Sequence, residues 1–239
     1  MTARFSAQTT HVSGTGLSMV DSRSVHERVY DEIRIGLSQG LFVEGQTLTT
    51  RGLAATFGVS EMPVREAIRR LVAEKYIVQL GNRSFQVPLL DAASFQDVIS
   101  VRLLLEGHAA AGAAEKASAE DIERLRGVNG RMRDAIAALN AQDTLRFNEE
   151  FHFLVYALTG SETLLDTIEM LWSRSGPYLA SVVTLDGTMS VFQKAFHMHE
   201  SIIAAIEKGD APNAQRALVA DITFAVEWYE DKRANRAKT

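Results

Sequence analysis

One short segment constrains the fold of this chain more than any other, because two helices follow each other across a glycine-containing turn. The first is predicted from about Arg51 to Phe57, with Thr50 as its N-cap. Gly58-Val59-Ser60 then interrupts the helical period. A second amphipathic helix follows, with its apolar residues on one face: Val64, Ala67, Ile68 and Leu71. Such a pair is typical of a helix-turn-helix.

The residues on either side of this pair complete a small domain. Upstream, a Ser-x-x-Glu capping box at 24–27 begins another amphipathic helix. Downstream, the apolar period changes from helix to strand at 76–79 and 84–87, and Gly81-Asn82 between them favours a hairpin turn. Helices followed by a hairpin predict a winged helix-turn-helix, which we place at residues 22–90.

The chain after this domain follows a different pattern, because no strand-like alternation appears beyond residue 91. Helices are predicted at 92–115, 118–139, 142–158, 161–183, 190–208 and 211–233. Predicted breaks fall at Gly127/Gly130, Gly160, Gly176-Pro177, Asp186-Gly187 and 209–212. We therefore expect a mainly α protein whose second domain, at 91–233, is an all-α bundle of six or seven helices. Residues 1–21 and 234–239 are predicted to be tails, the first of them disordered.

The charge balance differs between the two predicted domains. The whole chain carries a net charge of −5, yet residues 22–90 hold nine Lys/Arg against seven Asp/Glu, whereas 91–239 hold 15 against 22. The basic excess therefore lies in the domain that would contact nucleic acid. The absence of cysteine excludes disulfides, thiolate metal sites and cysteine nucleophiles, and it suits a cytoplasmic protein. No stretch has the pattern of a signal peptide or of a membrane span.

Motifs in both domains resemble a known family, the GntR regulators. The stretches that look like its DNA-binding signature are 48–54, 58–60 and 63–71. The C-terminal half resembles the FadR-type, FCD ligand-binding domain through motifs at 101–106, 148–152 and 199–210. The resemblance covers nearly the whole chain after residue 22. It implies a homodimeric transcription regulator whose binding to a double-stranded DNA operator is controlled by a small organic-acid or sugar-acid effector.

Similarity to the family places the operator contacts around the recognition helix, which begins at Ser60. A helix N-terminus offers free amides to phosphates, and arginine can read guanine bidentately. The expected DNA-binding residues are Arg51, Ser60, Glu61, Pro63, Arg65, Arg69 and Arg83. Arg70 is expected on the same exposed face. Glu61 stands where the family often has a basic residue, so it would repel phosphate unless it accepts a hydrogen bond from cytosine.

A charged residue within an apolar stripe marks a candidate effector site in the second domain. Arg102 belongs to a stripe that should face the domain interior, and a buried arginine needs an anion. That anion is either Glu106, four residues further along the helix, or the carboxylate of a ligand. The resemblance favours the ligand. It also assigns Trp172, Arg174 and Tyr178 to the family's pocket helix, although tryptophan and tyrosine are more often core residues than ligand contacts.

Four polar residues on core-facing stripes form a candidate metal site. Asn148 and His152 share one helix face, while His199 and Asp221 belong to apolar stripes of two other helices. The family carries Asp-x3-His and two further histidines, so here Asn148 replaces the aspartate and Asp221 replaces the last histidine. The remaining ligands suit a borderline divalent ion such as Zn, Ni or Mn. A metal-free hydrogen-bond network is the alternative.

Two short motifs suggest enzymes, but their context argues against both. Residues 36–40 match the Gly-x-Ser-x-Gly pattern of hydrolases, which requires a strand-turn-helix rather than the end of an amphipathic helix. Glu149-x-x-His152 resembles half of a di-iron site, yet such helical bundles use two of these motifs and this chain has one. A metal-dependent helical-bundle enzyme is therefore the disfavoured alternative, and we predict that the protein is not an enzyme.

Overall fold

The computed structural model describes residues 24–81, 84–89, 91–186 and 189–236, and side chains within them except at 178–186 and 232–236. These residues confirm a mainly α protein. The first domain contains α1 (Val25–Ser38), β1 (Thr47–Thr49), α2 (Thr50–Phe57), α3 (Glu61–Ala73), β2 (Val78–Gln79) and β3 (Ser84–Gln86). The described part of the second domain contains α4 (Ala92–Lys116), α5 (Ala119–Ala137), α6 (Ala141–Ala157), α7 (Glu162–Asp186), α8 (Ser190–Glu207) and α9 (Ala211–Arg236).

Local signals position the helices of the first domain. The capping box is confirmed: the Ser24 side chain accepts from the Glu27 backbone, and the Ser24 N–H donates to the Glu27 carboxylate at 2.8 Å. Helix α2 begins one residue earlier than predicted. Its N-cap is Thr49, not Thr50, and the Thr49 hydroxyl accepts from the N–H of Gly52 at 3.0 Å. Gly58 ends α2 with a φ of 65°, a conformation that glycine adopts without strain.

The wing is a three-stranded antiparallel sheet in the order β1-β3-β2. Leu48 of β1 pairs with Phe85 of β3, and Val78 of β2 pairs with Gln86. The sequence predicted β2 and β3 but not β1, because three residues are too few to show an alternating pattern. The tip residues 82 and 83, and with them the predicted DNA contact Arg83, lie outside the described residues.

The second domain buries a core between α4, α5, α6, α7, α8 and α9, in agreement with the predicted helical bundle. Helix α4 contacts α6, α7, α8 and α9 and is therefore the central element. A second apolar cluster lies beside this core and includes Phe95 of α4, Phe192 of α8 and Tyr229 of α9. Among the described helices, none combines the length and apolar character needed to cross a membrane.

Two of the predicted helix breaks were wrong. Gly127 and Gly130 lie inside α5, and the pair Gly176-Pro177 lies inside α7. A glycine costs a helix only about 1 kcal/mol, which packing of the helix against its neighbours outweighs. Gly176 has a packing role, since a Cβ there would lie 2.8 Å from Cα of Ser38 and would also overlap the backbone of Leu37.

The two domains contact each other directly along α1 and α7. Arg34 of α1 forms an ion pair with Glu169 of α7, and the hydroxyl of Ser38 donates to Glu149 of α6. A separate contact joins α9 to the loop after α1, where the hydroxyl of Tyr229 donates to Glu44 at 3.0 Å. The helices of the second domain therefore hold the end of α1 and the loop that follows it.

Candidate functional site

The exposed side of α3 and the start of α2 form the first candidate surface. The structure exposes five of the expected DNA contacts there, namely Arg51, Ser60, Glu61, Arg65 and Arg69, and leaves Pro63 half-buried. Ser60 is the N-cap of α3, but its side chain makes no capping hydrogen bond. The Ser60 hydroxyl and the first amides of α3 are thus free to donate to a phosphate.

The arginines of α3 fall into two groups. Arg65 lies 3.7 Å from Glu61, and Arg69 lies 3.0 Å from Glu66, in pairs that water surrounds. Arg70 is exposed, as expected, but it is turned toward α1. Its guanidinium packs 3.9 Å from the ring centre of Tyr30 in α1, because the turn of α3 that carries it is packed against α1.

Sequence reasoning overlooked one residue of this surface. Met62, in the first turn of α3, has 70% of its surface exposed, an unusually large fraction for an apolar side chain. A methionine at that place can contact the methyl group of thymine in a major groove. The signal in the sequence was an apolar residue off the buried stripe that Val64 and Ala67 define.

The second candidate site is a pocket between α4, α6, α7, α8 and α9. Arg102 lies at one end with only 4% of its surface exposed. Its Nε and Nη2 donate to the Glu106 carboxylate at 2.5 and 3.2 Å, and its Nη1 donates to the Ser175 hydroxyl at 2.9 Å. The guanidinium also lies 4.4 Å from the ring centre of Trp172. Glu106 is therefore the partner of Arg102, and the pair lies at the wall of the pocket.

A hydrogen-bond chain runs from this ion pair to the candidate metal ligands. The buried Tyr156 hydroxyl donates to Glu106, and burial together with the nearby Glu106 carboxylate raises the pKa of Tyr156 well above its ordinary value. The Tyr156 oxygen lies 3.0 Å from Nδ1 of His152. Since the Tyr156 hydroxyl donates its proton to Glu106, its oxygen accepts a hydrogen bond from Nδ1 of His152.

His199 is oriented in the same way from another direction. Its Nδ1 lies 3.1 Å from Oδ1 of Asn129, whose amide nitrogen donates to the Phe196 carbonyl and so fixes which atom is the oxygen. An amide oxygen only accepts, so His199 also carries its proton on Nδ1. Its Nε2 is buried with no hydrogen-bond partner among the described residues.

Three of the four predicted metal ligands converge at one point. Potential ligand atoms of His152, His199 and Asp221 lie within 4.8 Å of one another, and all three residues are buried. The Asp221 carboxylate lies 3.2 Å from Nε2 of His152 and 3.9 Å from Nε2 of His199. Asn148, the fourth, lines the same pocket. Both imidazoles have Nδ1 engaged by another side chain and turn Nε2 toward the Asp221 carboxylate. Two such rings and a carboxylate form a donor set that suits a divalent cation.

The surroundings fix the charge of two members of this cluster, His199 and Asp221. Burial lowers the pKa of His199 to about 3, a shift that Asp221 opposes and His152 reinforces, so the ring is neutral and able to coordinate. Burial alone would raise the pKa of Asp221, but the hydrogen bond with His152 and the nearby charges lower it. Asp221 is therefore an anion in the interior of the domain.

The structure gives different outcomes for the three remaining predicted effector contacts. Trp172 lines the pocket, and its indole Nε1 is buried without a hydrogen-bond partner in the described part of the chain. Arg174 is half-buried and does not line the pocket. The side chain of Tyr178 lies outside the described residues. Three residues that sequence reasoning missed, Tyr156, Asn129 and Ser175, support the site through hydrogen bonds between helices, for which the sequence carries no periodic signal.

Comparison with known proteins identifies a family domain in each half of the chain. The family description "Bacterial regulatory proteins, gntR family" matches residues 25–87, and "FCD domain" matches residues 97–224, which is more than half of the chain. The solved structure of E. coli McbR/YncC has the same fold, with a TM-score of 0.84 at 23% identity over 88% of this chain and 99% of that one. A putative GntR regulator from Rhodococcus sp. RHA1 also shares the fold, with a TM-score of 0.68 at 17% identity, 87% of this chain and 97% of that one.

Curated relatives are named as regulators. The HTH-type transcriptional regulator McbR of Escherichia coli is 29% identical over 64% of this chain and 69% of its own length. The Nta operon transcriptional regulator of Aminobacter aminovorans is 32% identical over 56% of this chain and 63% of its own length. The gluconate operon transcriptional repressor of Bacillus subtilis is 28% identical over 77% and 76%. This chain thus belongs to the GntR family of DNA-binding transcription regulators, with an FCD domain as its second half.

Proposed function

We propose that this protein is a homodimeric, cytoplasmic regulator that binds an operator through α2 and α3 and releases or retains it according to a small acid bound in the pocket. The observation that carries the proposal is the position of α7. Trp172 and Ser175 of α7 line the pocket, while Glu169 and Gly176 on an adjacent face contact α1 of the DNA-binding domain. One helix therefore contacts both the ligand site and the DNA-binding domain.

The size of the pocket supports a coupling between ligand and DNA. Its cavity measures about 50 Å³, whereas a cavity that holds benzene measures about 150 Å³. An organic acid therefore requires the walls of the pocket to move apart. These walls include α7 and α9, which contact the DNA-binding domain at α1 and at Glu44. A ligand that prefers the wider pocket shifts the protein toward another arrangement of its domains.

The charges in the pocket support a divalent ion, with His152, His199 and Asp221 holding it and Asn148 beside it. Arg102 and Glu106 neutralise each other and His199 is neutral, so of the described lining residues only His152 is left to balance the negative charge of Asp221. A bare carboxylate at this position repels an anionic ligand. A bound Zn²⁺, Ni²⁺ or Mn²⁺ would supply the positive charge that holds a carboxylate. Asn148 and Trp172 would then orient the acid through their polar atoms.

The DNA half of the proposal is tested at Arg65. A duplex selected from a random pool by the purified protein serves as operator, and a two-fold symmetric sequence is expected for a dimer. Arg65→Ala should weaken its binding by about 1–3 kcal/mol in a gel-shift titration. Arg124→Ala, at an exposed arginine of α5, is the matched control and should bind as the wild type does. Equal affinity of the Arg65 variant would remove Arg65 from the interface.

The effector half is tested with the metal ligands. Elemental analysis of protein purified without chelator should find a divalent ion, which the double variant His152→Ala/His199→Ala should lack. His197→Ala is the control, because His197 is exposed on the same helix as His199. The wild type should gain thermal stability from small carboxylic acids, and EDTA should abolish that gain. A wild type that contains no metal and takes up no added Zn²⁺, Ni²⁺ or Mn²⁺ would contradict the site.

A further inference from the structure

The pocket has one polar end and one apolar end. On α4 its lining passes from Arg102 through Ile99 to Phe95, and on α9 it passes from Asp221 through Ala225 to Tyr229. With a rise of 1.5 Å per residue, both sequences extend for roughly 10 Å in the same sense. Phe95 meets Tyr229 at the far end, with ring centres 5.5 Å apart. The polarity of the pocket therefore falls steadily along its length.

Side chains of α8 and α9 close the apolar end, and none of them offers a hydrogen bond to a ligand. They are Val191, Phe192, Ala195, Phe224, Ala225 and Val226. Among the described side chains at that end, the Tyr229 hydroxyl is polar, and it donates to Glu44 of the other domain. A ligand hydroxyl placed among these residues would lose its water and gain no partner.

The unpaired polar atoms lie at the opposite end. His199 Nε2 and Trp172 Nε1 are buried without hydrogen-bond partners among the described residues, and the Asp221 carboxylate lies 3.9 Å from His199 Nε2. Asn148 also lines the pocket, one turn before His152 on α6. Arg102 is not among these free groups, since its guanidinium is occupied by Glu106 and Ser175. Among the described lining residues, this end therefore supplies polar atoms for one head group, and the lining of α8 and α9 at the other end is apolar.

From this polarity gradient we propose that the effector is an amphipathic monocarboxylic acid with a hydrocarbon body, and not a sugar acid. Its carboxylate lies at the His152/His199/Asp221 end, where the divalent ion of the proposed function would hold it, and its body lies against Ile99 and Phe192. The inference rests on the proposed function, because it concerns the ligand of the same pocket. It separates this chain from relatives named for gluconate and D-xylose operons.

Pairs of acids that differ only in their hydroxyls test the proposal by calorimetry on the full-length protein, purified without chelator. Hexanoate is compared with gluconate, and cyclohexanecarboxylate with glucuronate. The hydrocarbon member of each pair should bind at least tenfold more tightly. In the series from propanoate to hexanoate, each added CH₂ should tighten binding by about fourfold, as expected for burial of a methylene group.

The outcomes distinguish this inference from the proposed function. Tighter binding of gluconate or glucuronate, or a flat chain-length series, overturns the inference and leaves an acid-controlled regulator in place. Failure of every acid to bind at the highest concentration titrated overturns both the inference and the effector half of the proposed function. Loss of operator binding by Arg65→Ala is independent of these results.

A matched pair of variants on α4 locates the hydrocarbon body. Ile99→Asn places an amide in the apolar end and should weaken hexanoate binding at least tenfold while changing propanoate binding little. Leu104→Asn is the control, because Leu104 lies on the outer side of the same helix with 71% of its surface exposed. If Ile99→Asn does not fold, the chain-length series on the wild type decides. Equal loss of both acids in a folded Ile99→Asn would contradict the placement.

Discussion

The two domains each carry an arginine and a glutamate one helical turn apart, and the two pairs are in opposite surroundings. In α3 the side chains of Glu61 and Arg65 lie 3.7 Å apart and are 48% and 44% exposed. In α4 those of Arg102 and Glu106 lie 2.5 Å apart and are 4% and 0% exposed. The same spacing thus produces a solvated pair on the DNA-binding surface and a buried pair at the wall of the pocket.

This difference in burial determines whether each arginine can exchange its glutamate for another partner. A solvated ion pair contributes about 0–1 kcal/mol, so Arg65 can exchange its glutamate for a phosphate or a base at little cost. The two members of a buried pair stay together because separating them leaves an uncompensated charge in the interior. Arg102 is therefore a fixed part of the pocket wall. It contacts Ser175 and Trp172 directly, and its partner Glu106 accepts a hydrogen bond from Tyr156.

The largest effect is expected when the buried pair is broken. Glu106→Gln keeps the shape of the side chain but leaves Arg102 uncompensated, so the free energy of unfolding should fall by about 3–5 kcal/mol. The matched substitution Glu61→Gln at the solvated pair should change it by less than about 0.5 kcal/mol. Urea unfolding of both variants measures the difference. Similar losses at the two positions would show that burial does not distinguish the pairs.

A smaller loss is expected when the contact between the two domains is disturbed. Gly176→Ala forces α7 away from the backbone of Leu37 and Ser38, and it should lower stability by about 1–3 kcal/mol, as overpacking does. Gly127→Ala is the control, because a Cβ at this helical glycine meets nothing within 4 Å. It should stabilise the protein by about 0.5–1 kcal/mol. Thermal melts of both should shift in opposite directions, and a shared direction would refute the close approach.

The contact of α9 with the DNA-binding domain should matter for regulation more than for stability. Tyr229→Phe removes the hydrogen bond to Glu44 and keeps the ring in the pocket, a change of about 1 kcal/mol. We expect hexanoate to bind as before, while its effect on operator affinity shrinks by up to about fivefold. Gel shifts with and without hexanoate provide the measurement. An undiminished response would place the coupling in the α1–α7 contact alone.

The smallest effect is expected at the solvated pair during DNA binding. Glu61→Gln removes a negative charge from the recognition surface, so affinity for a random duplex should rise by less than about 1 kcal/mol. Titrations at two salt concentrations measure it. A loss of affinity confined to operators with cytosine at one position would show instead that Glu61 reads that base.

The fold could be predicted where neighbouring residues define the structure among themselves. The capping box at Ser24 and the left-handed turn at Gly58 involve residues within a few positions of each other, so the helices of the first domain were predicted to within about a residue. Strand β1 escaped prediction because its partner β3 lies 35 or more residues away. Gly176 likewise looked like a break because its partner, α1, belongs to the other domain.

In the candidate pocket, too, local patterns could be predicted and contacts between distant residues could not. Helical periodicity placed Arg102, Asn148, His152, His199 and Asp221 on inward faces, and three of them converge in the structure. The sequence left two partners open for Arg102, and the structure pairs it with Glu106. Tyr156 and Asn129, which orient the two imidazoles, were not identified because their roles depend on contacts across helices.

The sequence by itself determined the helices, the winged helix-turn-helix and the inward direction of the polar residues in the second domain, since each follows from periods and caps within one element. The tertiary structure alone decided which partner each charge has, that Arg70 faces α1, and that the pocket changes from polar to apolar along its length. These properties arise where separate helices meet, and the distances and burial that set electrostatic and hydrophobic energies exist only once the helices have packed.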